Sequence, residues 1–195
     1  MFTGIIKNTG KVVSISKQNK GFILEIFSNL PHSKKDIGTS IAVNGVCLTL
    51  TKFSKKKLFF FISYKTFEIT NFKIIKKNSI VNIEKSLRYG DEIAGHFVQG
   101  HVDCFGKVLS VSKLSKTWTI NILVNSKFSN LLIDKGSICI NGVSLTIVKA
   151  VKNKFTLVII PHTLKMTNII NLNKNDIVNI EFDIVIKYLS KISNK

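Results

Sequence analysis

Residues 44–49 read "NGVCLT" and residues 141–146 read "NGVSLT", 97 positions apart. At that offset, residues 39–84 align with 136–181 without a gap, and 21 of the 46 positions are identical. The identities include Ser40/Ser137, Asn44/Asn141, Gly45/Gly142, Thr49/Thr146, Thr66/Thr163, Thr70/Thr167 and the closing "IVNIE" at 80–84 and 177–181. Upstream, "TGIIKNTGKVVSIS" (3–16) matches "QGHVDCFGKVLSVS" (99–112) at offset 96, so one residue was gained or lost between the blocks. Chance gives far fewer identities. The chain is a tandem repeat, and the unit is long enough to be a whole domain rather than a solenoid turn.

Each half carries short runs rich in Val, Ile and Phe, cut by Gly, Asn and Lys: "GKVVSIS", "FILEIF", "SIAVNGVCLTLTKF", "KLFFFIS" and "SIVNIE" in the first. These are strand signals. "NG" reads as a tight turn, because both residues tolerate positive φ. In "VCLTL" the period of two puts Cys47 and Thr49 on one face, with Val46, Leu48 and Leu50 on the other. Ser144 and Thr146 share a face by the same count. "SYKTFEITNF" (63–72) and "PHTLKMTNII" (161–170) read as one or two helical turns. About six short strands around one core in some 90 residues suggest a small closed barrel. The expected fold is all-β: two similar six-stranded closed β-barrels in tandem, followed by a C-terminal α-helix. The boundaries are 1–94, 95–183 and 184–195, the first break falling in the turn-rich "RYGDEIAG" (88–95). In the tail, Val185, Leu189 and Ile192 fall at i, i+4 and i+7 with Tyr188 in the same stripe.

Composition excludes several classes. No run approaches the ~20 apolar residues of a membrane helix, and "MFTGIIKNTG" lacks the charged and apolar regions of a signal peptide. The chain reads as cytoplasmic. Cys47, Cys104 and Cys139 lack paired spacing, which argues against a disulfide framework and a zinc site. The formal net charge is +18, yet Arg88 is the only arginine among 29 basic residues. Specific nucleic-acid recognition favours arginine's bidentate fork. Lys, Asn and Ile all have AT-rich codons, so the charge reads as drift onto solvated surface rather than a nucleic-acid site.

The motifs "MFTGII", "NGVCLT", "GHFVQGHVD" (95–103), "NGVSLT", "IPHTL" (160–164) and "VNIEFD" (178–183) together resemble riboflavin synthase of the alpha-chain type. They run in order over essentially the whole chain. The resemblance implies two lumazine-binding barrels and a helix that makes a homotrimer. It implies dismutation of two 6,7-dimethyl-8-ribityllumazine molecules to riboflavin and 5-amino-6-ribitylaminouracil by transfer of a four-carbon unit. No cofactor or metal is expected. The partners implied are the small-molecule substrate, further copies of the chain and the lumazine synthase of the same pathway. A non-catalytic, antenna-type lumazine or flavin binder of the same double-barrel architecture is the alternative.

The resemblance also implies site residues. His101, Ser144, Cys47, Ser40, Asp183 and Lys135 are the catalytic candidates, with His101 placed at the second barrel's site near Ser144 and Thr146. Lys135 and Asp183 are placed beside that site, and Ser40 and Cys47 in the first barrel. Phe2 is expected as an aromatic wall, and Thr49 and Thr146 as hydrogen-bond partners of the pteridine edge beside Leu48 and Leu145. Gly4, Ile5 and Ile6, and Phe61, Ile62, Ser63, Tyr64, Lys65 and Thr66, are expected to line the pockets with backbone. So are His101, Val102 and Asp103, and Ile159, Ile160, Pro161, His162, Thr163 and Leu164. The chain departs from the family pattern at Lys65 and His162, where an acidic residue is usual, and at Phe61 and Tyr64. His32 and His162 read as ordinary surface or structural histidines. His96 reads equally as a scaffold for the loop before the second barrel, and Cys104 and Cys139 as inert.

Overall fold

The computed structural model describes residues 1–193. The first barrel is built from β1 (Asn8–Gln18), β2 (Gly21–Ser28), β3 (Ser40–Val43), β4 (Val46–Ser54), β5 (Lys57–Ser63) and β6 (Ile80–Lys85). The second is built from β7 (Cys104–Leu114), β8 (Thr117–Leu123), β9 (Ser137–Ile140), β10 (Val143–Val151), β11 (Lys154–Ile159) and β12 (Ile177–Phe182). Each sheet is antiparallel and closes on itself, in the order β1-β2-β5-β4-β3-β6 and its equivalent in the second half. Closure leaves no free sheet edge. Bulges between Val12 and Ser14, and between Leu50 and Lys52, supply the bend that closure needs, and they recur between Val108 and Ser110 and between Ile147 and Lys149.

Alternation fixes what faces each core. Val46, Leu48 and Leu50 point into the first barrel with Leu24, Ile26 and Phe60, while Cys47 is half-buried and Thr49 exposed outside it. Short helices α1 (Tyr64–Ile69) and α2 (Pro161–Met166) follow the fifth strand of each barrel. Their repeated threonines do capping work: the Thr70 and Thr167 hydroxyls donate to the carbonyls of Thr66 and Thr163, each at 2.7 Å.

The repeated Asn-Gly turns are where the barrels meet. Asn44 and Gly45 have φ of +46° and +76°, and Asn141 and Gly142 have +47° and +83°, which is the left-handed geometry of a tight hairpin. The two turns lie back to back. A Cβ on Gly45 would sit 2.7 Å from the Gly142 nitrogen, and one on Gly142 would sit 2.8 Å from the Gly45 nitrogen.

Six buried asparagines surround this contact, related in pairs by the same offset: 44/141, 71/168 and 82/179. Asn44 Oδ1 accepts from the Asn82 N–H at 2.8 Å and Asn168 Nδ2 at 3.0 Å. Asn141 Oδ1 accepts from the Asn179 N–H at 2.8 Å and Asn71 Nδ2 at 3.2 Å. Asn82 Nδ2 donates to the Asn141 carbonyl and Asn179 Nδ2 to the Asn44 carbonyl, both at 2.9 Å. Each bond has a mate across a pseudo-twofold axis, so nearly every amide is satisfied by the opposite half.

The first residues of each half cross that axis. Phe2 and Val98 form an isolated antiparallel bridge. Beyond it Ile6 enters the core of the second barrel, and Val102 packs on that of the first. Residues 2–6, grouped with the first barrel by sequence, therefore dock on the second. A local hydrophobic pattern cannot report such an exchange.

Helix α3 (Ile184–Ser193) is tied to the second barrel by Lys187, which pairs with Asp103 at 2.9 Å, and by Ser190, whose Oγ accepts from Asn130 Nδ2 at 2.7 Å. Its other face exposes Val185, Tyr188, Leu189 and Ile192, the stripe read from the sequence. The last two residues of the expected helix, 194–195, lie outside the described residues. No described helix is long and apolar enough to cross a membrane.

The asparagine joint carries a stability prediction. Asn82→Ala removes the partners of the Asn168 N–H and the Asn141 carbonyl in a buried place. Equilibrium denaturant unfolding should show a loss of about 3 kcal/mol. Adding Asn168→Ala should cost about 1 kcal/mol less than the sum of the single losses, because the two share bonds.

Candidate functional site

Two equivalent faces lie outside the barrels, each on the strand that follows an Asn-Gly turn. On the first, Cys47 stands opposite Ala42 and Thr49 opposite Ser40 across β3–β4. On the second, Ser144 stands opposite Cys139 and Thr146 opposite Ser137 across β9–β10. Directly opposed residues share a face, so Ser40, Cys47 and Thr49 form one row, and Ser137, Ser144 and Thr146 another.

Each row is lapped by the other half's arm. The Cys47 N–H donates to the Gly100 carbonyl and the Ser144 N–H to the Gly4 carbonyl, both at 2.8 Å. Gly4 and Gly100 have φ of +76° and +79°, and a Cβ on either would stand 2.6 Å from its neighbour on the facing strand. Only glycine allows this approach. Each arm is held by a carboxylate at the end of "IVNIE", half-buried at Glu84 and fully buried at Glu181. Glu84 accepts from the Thr3 N–H, the Thr3 hydroxyl and the Gly4 N–H, at 2.8, 2.9 and 3.0 Å. Glu181 accepts from the N–H groups of Gln99, Gly100 and His101, at 2.7, 2.9 and 3.0 Å. Burial pushes both carboxyls up, Glu181 to about 6, against the pull of these donors.

The histidine at the second face is His96, which corrects the sequence expectation for His101. His96 Nδ1 lies 2.7 Å from Ser144 Oγ. The ring is buried, and Nε2 is a buried atom without a hydrogen-bond partner. Burial holds the imidazole below the ordinary histidine range, with the Asp183 charge pulling the other way. His101 follows Gly100 on the arm laid against Cys47, and its side chain is exposed. The repeat matches His101 to Ile5 but gives His96 no counterpart, so repeat logic could not place His96.

Phe2 is also corrected. It is fully buried between the barrels with Ala42, Val98 and Cys139, packed behind Cys47 rather than forming an open wall. Leu48, Ile62, Ile159 and Leu164 turn their side chains inward, and Leu145 packs on the second core, so these can offer only backbone. Ile5, Phe61, Tyr64 and Lys65, and Ile160, Pro161 and His162, are exposed. Ser63 Oγ accepts from the Thr66 N–H at 3.1 Å as the cap of α1, and Thr163 anchors the end of α2. Asp103 serves the fold: Oδ2 accepts the Phe182 N–H at 2.9 Å and meets Lys187. Asp183 Oδ1 accepts the Val185 N–H at 2.9 Å at the start of α3. Lys135 is an exposed turn residue at φ +64° whose N–H donates to the Ile147 carbonyl at 2.8 Å. Cys104, pushed up to about 12, and Cys139 are kept protonated by burial. Thr49 and Thr146 are exposed, and Cys47 and Ser144 are half-buried beneath the arms.

Comparison with known proteins fits this duplicated arrangement. The family model described as lumazine binding domain matches residues 3–86 and 99–183. A riboflavin synthase of Actinobacillus pleuropneumoniae is 37% identical over 191 residues, covering 98% of this chain and 89% of that protein. A riboflavin synthase of Buchnera aphidicola subsp. Schizaphis graminum is 38% identical over 185 residues, covering 94% and 89%. Among solved structures, LumP complexed with riboflavin superposes with a TM-score of 0.82 at 24% identity, covering 93% of this chain and 99% of that one. That likeness shows the fold.

The raised Glu181 carboxyl sets a pH dependence. The folded state takes up this proton at about pH 6, whereas the unfolded chain waits until about 4.5. As pH falls through that window the folded state binds more protons, so Glu181 contributes increasing stability. Wild type should therefore gain on Glu181→Gln by up to about 2 kcal/mol between pH 7.5 and 4.5. Thermal unfolding midpoints of both proteins across that range are the check, and a constant difference would contradict it.

Proposed function

The chain belongs to the riboflavin synthase family, and from that premise we propose how its two faces divide one reaction. The enzyme is a transferase. It takes two 6,7-dimethyl-8-ribityllumazine molecules, moves a four-carbon unit from one to the other, and releases riboflavin and 5-amino-6-ribitylaminouracil.

The observation that carries the assignment of roles is the unequal pair of centres on otherwise equivalent faces: Cys47 on the first, Ser144 bonded to His96 on the second. Identical substrates call for identical holding groups, and Thr49 and Thr146 supply them. The roles of donor and acceptor differ, and so do the centres. The reaction needs a lumazine methyl deprotonated and a nucleophile added to the partner ring. A neutral imidazole on a serine hydroxyl can move a proton near neutral pH. Asp183 lies close enough to bias His96 electrostatically. His101, exposed beside Cys47, is free to meet a ligand on the first face. Ser40, beside Thr49, serves the same ligand, and Lys135 reaches the second.

Thr49 and Thr146 are exposed, which leaves a bound substrate open to a covering surface from elsewhere. We assign that surface to a second copy: the first face of one subunit meets the second face of the next. The exposed stripe Val185–Tyr188–Leu189–Ile192 then packs with its copies in a homotrimer, burying apolar surface that one chain leaves wet. Pairing supplies rate through effective molarity. The three free thiols suit a reducing compartment, and we place the enzyme in the cytoplasm. Lumazine synthase of the same pathway remains a proposed partner.

The test is to incubate the protein with 6,7-dimethyl-8-ribityllumazine alone. Riboflavin and the pyrimidine should appear in equal amounts, with two ligands bound per chain. An antenna-type binder would hold one ligand and turn nothing over. His96→Ala and Ser144→Ala should each lower kcat by about 10²-fold with a smaller change in KM. Near-full turnover in both would remove the acid–base role from the second face. Thr49→Val and Thr146→Val should each weaken ligand binding by about 1–3 kcal/mol.

A further inference from the structure

Two carboxylates, one half-buried and one buried, take no part in the chemistry above. Glu84 lies in the first barrel and Glu181 in the second, at equivalent positions. By sheet register each lies in line with its own face: Glu84 opposes Ala42, which opposes Cys47, and Glu181 opposes Cys139, which opposes Ser144. The hydrogen bonds run the other way.

Glu84 gathers three donors from Thr3 and Gly4. The Thr3 carbonyl accepts the His96 N–H at 3.2 Å, and the Gly4 carbonyl accepts the Ser144 N–H at 2.8 Å. One carboxylate in the first barrel thus fixes the backbone that holds both members of the second barrel's acid–base pair. Glu181 gathers three donors from Gln99, Gly100 and His101, and the Gly100 carbonyl accepts the Cys47 N–H at 2.8 Å. Both arms press on their target strands at a distance that leaves no room for a Cβ. An arm that loses its carboxylate cannot shift without moving the carbonyl on which the facing amide depends.

We propose that Glu84 and Glu181 are positioning residues wired crosswise, Glu84 setting the Ser144–His96 site on the second barrel and Glu181 setting the Cys47–His101 site on the first. The catalytic part of this inference rests on the functional reading above; the wiring itself does not. It follows that a change inside one barrel degrades the face on the other and spares its own.

The experiment is hydrogen–deuterium exchange on the full chain, resolved to the amides of Cys47 and Ser144, in wild type, Glu84→Gln and Glu181→Gln. Glu84→Gln should speed exchange at Ser144 by about tenfold or more while Cys47 stays near wild type, and Glu181→Gln should do the reverse. Steady-state turnover of 6,7-dimethyl-8-ribityllumazine should show kcat falling about tenfold in both, with KM changing less. Thr3→Val deletes one donor to Glu84 with less disturbance, and it should loosen Ser144 alone even if a glutamine variant does not fold. Acceleration on the same barrel, equal acceleration at both amides, or none at either would each overturn the wiring. Crosswise exchange with unchanged kcat would overturn the positioning role. A wild-type protein that leaves the lumazine unconverted would instead refute the functional reading, whatever the exchange pattern.

Discussion

Everything in this molecule hangs on two Asn-Gly turns touching back to back. The turns need positive φ at both residues, and the contact leaves no room for a side chain on either glycine. The approach brings backbone groups of both barrels into a buried place, where each must find a partner. Six asparagines meet that demand, because a carboxamide both donates and accepts. Two barrels with separate apolar cores thereby become one body, joined by polar groups. The arms need that body. Each reaches a strand on the opposite barrel, and neither could do so if the barrels moved independently.

This joint explains why a duplicated chain can carry two unlike centres. The pseudo-twofold axis equalises the scaffold: strand order, bulges, turn geometry and arm clamps all recur. What differs is confined to a few side chains on the faces. Cys47 and Ser144 occupy equivalent places, but only the second has a buried histidine at hydrogen-bond distance. The arms show how narrow the difference is. Their equivalent carbonyls, Gly4 and Gly100, make the same bond at the same length. The side chains are asymmetric on a symmetric frame.

The barrels and their inward-facing residues were legible in the sequence because a period of two is a local signal. The chain spells it out in "VCLTL" and "VSLTI", and the buried Val46, Leu48 and Leu50 follow it. The exposed stripe of α3 was legible for the same reason, at a period of 3.6. His96 was not, because its partner Ser144 lies 48 residues away and only the exchanged arm brings them together. Glu84, Glu181 and the asparagines stood in view as identities between the halves. Repetition alone could not say whether they touch a ligand or each other. Thr66, Thr70, Thr163 and Thr167 repeat just as faithfully, yet their bonds are helix caps. Residue identity marks a shared constraint, and only geometry says which one.

If the two faces of one chain belong to two different reacting pairs, each completed by another copy, complementation between variants must reveal it. One variant would carry Thr49→Val and His101→Ala on the first face, and the other His96→Ala and Ser144→Ala on the second. The two would be co-expressed with different tags, and mixed assemblies purified through both. If intact faces from different subunits meet around a trimer, each doubly tagged assembly keeps one competent junction of three and should restore about a third of wild-type turnover. Activity no higher than the sum of the two inactive variants would mean that each chain pairs its own faces, and would contradict the account.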